Sequence, residues 1–178
     1  MSQQTSNFGF LAEHDPLFVE LAQSAERAFV SDPDTTLIKL RQLGEALAQH
    51  LAAKAGIEIS DRMTQADLLF QLNREIKLDP LVKSFFHTLR IEGNKATHEF
   101  KRRTQHKDAL DGLRVARNLS IWFHQSLGKE GTKFKAGSFV PPKDPSEHLL
   151  KLQTEINKLK TELQQANTDL DSSQQLNE

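Results

Sequence analysis

No cysteine occurs anywhere in the 178 residues. Disulfide scaffolds, zinc–thiolate sites and cysteine nucleophiles are therefore excluded. Long apolar runs are also missing: no stretch approaches the roughly 20 residues needed to span a bilayer. The first residues, Met1 to Asn7, offer neither a charged n-region nor an apolar h-region, so they do not read as a signal peptide. The expectation is a soluble protein of the cytoplasm with no membrane contact. An excess of either charge is lacking as well. With 23 basic and 24 acidic residues the net charge is −1, so a nucleic-acid footprint, if there is one, must be local. There is no glycine-rich phosphate loop, Walker motif or Rossmann fingerprint, and no acidic pair with a lysine in nuclease arrangement. An ATPase or a metal nuclease cannot be built from these residues, and no cofactor is expected in this chain. No serine sits in a Gly-x-Ser-x-Gly elbow, and no His-Glu-x-x-His occurs. His98 and His106 stand eight apart, so no metal site is expected. Apolar residues make up only 37% of the chain, against the usual range of roughly 45–50%, and the deficit lies in the last third.

What is present is helical patterning. Asp15-Pro16, Asp32-Pro33 and Asp79-Pro80 each place an N-cap aspartate before a proline at the first helical position. Thr64-x-x-Asp67 resembles a capping box. The spacing predicts apolar faces at Leu17, Leu21, Ala25 and Ala28, with Phe18 and Phe29 beside them. It predicts further faces at Leu37, Leu40, Gly44, Leu47 and Leu51, at Leu68, Leu69, Leu72 and Ile76, and at Leu81, Val82, Phe85, Phe86 and Leu89. A fifth helix runs from Gln105 to Leu127. Gly44 lies within an apolar face, which suggests a close helix–helix approach. Gly56 and Gly128 read as C-caps. No segment shows sustained period-two alternation. The expected fold is all-α: a bundle of about five helices over residues 1–128, a Pro/Gly linker over 129–145 and a coiled-coil helix over 146–178 with a frayed polar tail. Phe134 and Phe139 are candidates for pinning the linker to the bundle. Leu149, Leu152, Ile156, Leu159, Leu163, Ala166 and Leu170 alternate three and four apart, a coiled-coil signature that calls for a partner helix in cis or in trans.

Polar residues crowd one stretch, Arg90-Ile91-Glu92-Gly93-Asn94-Lys95-Ala96-Thr97-His98-Glu99. Gly93, Asn94 and His98 read either as a structural polar site closing the fourth helix or as part of a binding or catalytic site. Residues 83–117 carry nine positive charges against four acids. Within that cluster Lys95, Lys101, Arg102, Arg103 and Lys107 are candidates for contacting the phosphates of double-stranded DNA. A solvated, salt-bridged helix face is the competing reading, and no aromatics interleave the cluster to stack on bases. Arg117 and His124, with six residues between them on an apolar helix, form a second, looser arginine–histidine spacing.

Five stretches together resemble a known family: Asn7-Phe8-Gly9-Phe10-Leu11, Asp32 to Arg41 with Gly44-Glu45, Arg90-x-x-Gly93-Asn94-x-Ala96-x-His98-Glu99, Ile121-Trp122-Phe123, and Phe139-Val140-Pro141. In this order they resemble the N-terminal helical domain of the R subunit (HsdR) of type I restriction-modification enzymes. The resemblance implies a fragment, or a stand-alone relative, of a DNA-translocating ATPase and endonuclease that works with methylation and specificity subunits. The ATP and magnesium of that parent, and its nuclease and helicase motifs, belong to domains absent here. The module is similar, too, to HEPN-like helical bundles, whose active members use an arginine and a histidine as a metal-independent ribonuclease pair. In this chain the matching slot reads Gly93-Asn94-Lys95-Ala96-Thr97-His98, without the arginine. Arg90, one turn earlier, could replace it only if the helix bends at Gly93. The preferred reading is a non-catalytic docking module with a basic edge near DNA. The alternative is a ribonuclease using Arg90 and His98.

Overall fold

The second helix is the centre of the molecule, because its apolar face wraps far enough round to serve several neighbours at once. The computed structural model describes residues 6–99, 104–143 and 145–176, with backbone only for 145–148. Among the described residues there are six α-helices and no strand: α1 (Pro16–Ala28), α2 (Pro33–Lys54), α3 (Gln65–Ile76), α4 (Pro80–His98), α5 (His106–Leu127) and α6 (Pro145–Leu176). Short 3-10 turns at Gly9–Glu13 and Gly131–Lys133 flank the bundle. Helix α2 packs against α1, α3, α4 and α5. Its residues Leu37, Leu40, Leu43, Leu47 and Ala48 are almost completely buried.

Helices α1 to α5 each begin where a side chain satisfies an orphan amide. Asp15 accepts from the Leu17 amide at 2.9 Å, Asp32 from Thr35 at 3.1 Å, and Asp79 from Leu81 at 2.9 Å. Thr64 and Asp67 exchange reciprocal bonds of 3.1 Å, a complete capping box. Helix α5 starts one residue later than its pattern predicts, with Gln105 donating its amide to Asp108 at 3.1 Å. Helix α2 ends at Gly56, whose φ of +75° lets the Ile57 amide reach back to the Ala52 carbonyl at 2.9 Å.

The buried faces differ from the predicted ones in two helices. On α1 the core side is Phe18, Ala22, Ala25 and Phe29, while Leu17 is 46% exposed. The aromatic pair is rotated inward in place of the leucine row, because Phe18 packs edge-on against Phe123 and His50. On α4, Leu81 is exposed, and Val82, Phe86, Leu89 and Gly93 form the inward row. Gly44 is buried on the α2 face that meets α4, yet a Cβ there would stand 3.5 Å from Leu89. That is an ordinary contact, so close approach does not require this glycine. The close crossing is made from α4: a Cβ on Gly93 would overlap the Cβ of Arg41.

Residues up to Pro142 form one compact unit, and Lys143–Glu178 form a second. In the second unit α6 continues to Leu176, beyond the expected fraying point at Asp171, with Ser172 bonding back to the Thr168 carbonyl at 3.0 Å. Its described side chains are exposed throughout. No described helix is long and apolar enough to cross a membrane.

Candidate functional site

The polar stretch at the end of α4 folds as continuous helix. Because α4 is unbroken from Pro80 to His98, Gly93 introduces no bend. Asn94 faces α2 and accepts a 3.0 Å hydrogen bond from Arg41. Arg41 also reaches Glu45 at 3.5 Å. Gly93 and Asn94 thus belong to the α2–α4 crossing. His98 lies in the last turn, exposed, with no hydrogen-bond partner among the described residues. Arg90 points toward His87, with Nη2 3.4 Å from its Nδ1. Burial, Arg90 and Lys83 together hold His87 below the ordinary histidine range. Eight residues of α-helix span about 12 Å of axis, so Arg90 and His98 are not brought together as a pair.

Among the described members of the basic cluster, Lys95 is engaged with an acid and Arg114 with aromatic surface. Lys95 pairs with Glu92 at 3.6 Å. It shares a small cleft between α4 and α5 with Glu92, Glu99, Thr104 and Asp108, which makes the cleft more acidic than basic. Arg114 lies over the Phe139 ring, 5.0 Å from its centroid. Lys107 is exposed at the start of α5. Lys101, Arg102 and Arg103 lie outside the described residues.

A second polar centre forms where residues 6–14 and 129–142 meet α5, and four of its bonds join residues more than a hundred positions apart in the chain. Arg117, 7% exposed, donates through Nε to the Asn7 carbonyl at 3.2 Å and through Nη2 to the Ala136 and Gly137 carbonyls at 2.9 Å each. Burial lowers its pKa from the usual arginine value. Asn7 donates to Val140 O and accepts from Val140 N, both at 2.8 Å, and donates to Glu26 at 3.1 Å. The two phenylalanines contribute as expected. Phe134 stacks edge-on against His124 with centroids 4.4 Å apart, and Phe139 packs on the core. A pocket beside Arg117 is lined by Phe10, Phe134, Lys135 and Gly137.

Two turns further along α5, His124 Nδ1 lies 2.8 Å from His14 Nε2. Glu13 Oε2 stands 3.5 Å from the former and 3.8 Å from the latter. Burial, followed by the nearby His124, lowers the His14 pKa, and Glu13 works against that shift. Gly128 completes the corner. Its φ of −75° is available to any residue, but a Cβ there would come within 2.9 Å of both Glu13 Oε2 and His124 Cε1. Gly128 is the C-cap of α5, as expected, but it serves there for room and not for a left-handed conformation.

Of the residues singled out from sequence, Arg117 and His124 share this centre. Asn7, Glu13 and His14 were not singled out as site residues. Asn7 and Val140 carried one signal, since both fall within the family-like stretches Asn7-Phe8-Gly9-Phe10-Leu11 and Phe139-Val140-Pro141. Glu13 and His14 carried none, because no spacing rule links them to position 124.

Comparison with known proteins adds the following. The chain is 32% identical over 177 residues to the type I restriction enzyme EcoKI endonuclease subunit of Escherichia coli (strain K12). The match covers 96% of this chain and 14% of that protein, so the chain spans about one seventh of its relative's length. No solved structure matches. The family described as "Domain of unknown function (DUF4145)" matches residues 23–166, from α1 into α6, and on this extent the chain belongs to the DUF4145 family.

Proposed function

We propose that this chain is the N-terminal, non-catalytic module of a type I restriction enzyme endonuclease subunit, and that it docks that subunit through α6. The observation that carries the reading is the stripe on α6. Leu149, Leu152, Ile156, Leu159, Leu163, Ala166 and Leu170 recur three and four apart, and the six large ones are 42–64% exposed. Apolar area kept in water at that spacing is relieved by a facing helix. The proposed occupant is a helix of the same restriction complex, on the methylation or specificity subunit or elsewhere in the endonuclease subunit. The similarity to the EcoKI endonuclease subunit supports that assignment. ATP and magnesium chemistry would belong to the rest of such a protein, and the cytoplasm would be its compartment.

Double-stranded DNA contact through Lys95, Lys101, Arg102, Arg103 and Lys107 is the secondary part of this proposal. A HEPN-like relation rests on the all-helical bundle alone. Ribonuclease chemistry at Arg90 and His98 is disfavoured, since eight residues of unbroken helix separate the two.

The test is binding of purified methylation and specificity subunits, measured by sedimentation with the wild-type chain and with Ile156→Asp/Leu159→Asp. Binding that the double substitution abolishes is the expected result. Equal binding by both chains would sink docking through α6. Anisotropy of a short fluorescent duplex at low and at physiological salt tests the DNA part. Binding should weaken with salt and collapse when Lys101, Arg102 and Arg103 become Glu.

A further inference from the structure

We infer that Glu13, His14 and His124 form a binding site for one first-row divalent cation of the zinc class. The inference is independent of the docking role. Their donor atoms, Glu13 Oε2, His14 Nε2 and His124 Nδ1, make a triangle with sides of 2.8, 3.5 and 3.8 Å. A triangle of those sides has a circumradius of about 2.0 Å, which matches zinc–nitrogen and zinc–oxygen bonds of about 2.0–2.2 Å. A cation can therefore sit close to the plane of the three atoms and bond to all of them with little movement. Among the described residues no other group of three histidine or carboxylate donors comes this close together.

The surroundings fit a metal centre. The two imidazole side chains are 6% and 7% exposed, while Glu13 is 30% exposed and forms the open side. Phe10, Phe123 and Phe134 stack on the two rings with centroids 4.4–5.2 Å away. That apolar shell excludes water and strengthens the charge–ligand interaction. Without the ion, two ring nitrogens at 2.8 Å share one hydrogen. When a cation enters, that hydrogen moves to the other nitrogen of its own ring, and both facing lone pairs become ligands with no net proton loss. Gly128 keeps the space clear, since a Cβ would press on Glu13 Oε2 and His124 Cε1. Three protein ligands leave a fourth position for water or an exogenous group. A nitrogen–oxygen donor set follows the usual divalent order, which places manganese below cobalt and zinc below copper.

The test uses the full chain, freed of metal by chelation and titrated with zinc by calorimetry and with cobalt by visible absorption. The expected result is one ion per chain, an intense cobalt band of low coordination number, and a rise in melting temperature with zinc. Glu13→Gln, His14→Gln and His124→Gln should each weaken binding by more than about tenfold, since even loss of a supporting partner costs that much. They should also remove the thermal shift. If His124→Gln does not fold, Glu13→Gln decides alone, because its side chain is the exposed member. The inference is overturned by a wild-type chain that binds no zinc. It is equally overturned if affinity is unchanged in Glu13→Gln, which would put the ion on other residues.

Discussion

Arg117 is the residue on which the corner between the N-terminal segment and residues 134–140 depends. Its guanidinium serves three carbonyls from two separate segments, and a planar fork of fixed geometry suits that task. Arg117→Met should cost about 3 kcal/mol of unfolding free energy, because three carbonyls lose charged donors in a buried place. Arg117→Lys should recover little of it, since a point-like ammonium cannot span the same acceptors. Chemical denaturation of both variants checks this. The glycines of the α2–α4 crossing part in opposite directions. Gly93→Ala should destabilise by about 1–3 kcal/mol, because the new methyl meets the Arg41 Cβ and forces the helices apart. Gly44→Ala should be tolerated and gain up to about 1 kcal/mol of helix propensity, since its methyl finds ordinary contact with Leu89. Denaturation midpoints measured side by side would show the opposite signs. Glu26 makes a pH-dependent contribution. Burial raises its pKa, against the opposing hydrogen bond from Asn7. The folded state therefore holds the proton more tightly than the unfolded chain, and the associated stability is lost as pH rises through the raised value. Glu26→Gln should be more stable than the wild type at neutral pH, with the gap closing below the ordinary carboxylate range. Phe134, Phe139, Arg117 and His124 could be singled out from the sequence, but the hydrogen bonds of this corner did not follow from local pattern, because its partners are brought together only by the closed bundle. The capping residues, by contrast, act within three positions of themselves and were legible at once.

Helix boundaries are where sequence and structure agree best, and α2 shows why. Asp32 accepts from both the hydroxyl and the amide of Thr35. Those bonds, the hydroxyl's first, hold its carboxyl below the usual range. The stabilisation is present above the ordinary aspartate value and is lost as pH falls through the lowered one. Asp32→Ala should cost about 1 kcal/mol, and Asp32→Asn should keep the cap while losing its acid sensitivity. Thermal melts across the acidic range separate the two. Helix faces were less legible than helix ends. On α1 the periodic row Leu17, Leu21, Ala25, Ala28 and the buried row Phe18, Ala22, Ala25, Phe29 fit the helical period equally well. Only the neighbours decide, through the stacking of Phe18 on Phe123. Helix α6 is the reverse case: its heptad pattern was plain, but within this chain its leucines remain exposed.

At the scale of the molecule, residues up to Pro142 and those from Lys143 onward form two compact units. A chain ending at Pro142 should keep the thermal midpoint of the bundle and lose only the helical signal of α6 in circular dichroism. A lowered midpoint would mean that the bundle draws stability from the second unit. The bundle itself is closed on its own ends. Asn7 and Val140, 133 positions apart, exchange two hydrogen bonds of 2.8 Å, much as two paired strands would. This closure has a mechanical meaning. A pull applied at residue 6 and residue 141 loads that bridge, with Arg117 behind it, before it strains any helix. Until the bridge parts, the five-helix body transmits tension as a short rigid link. Once it parts, the segments on either side peel away from α5, and length is released from the ends of the bundle before its core opens.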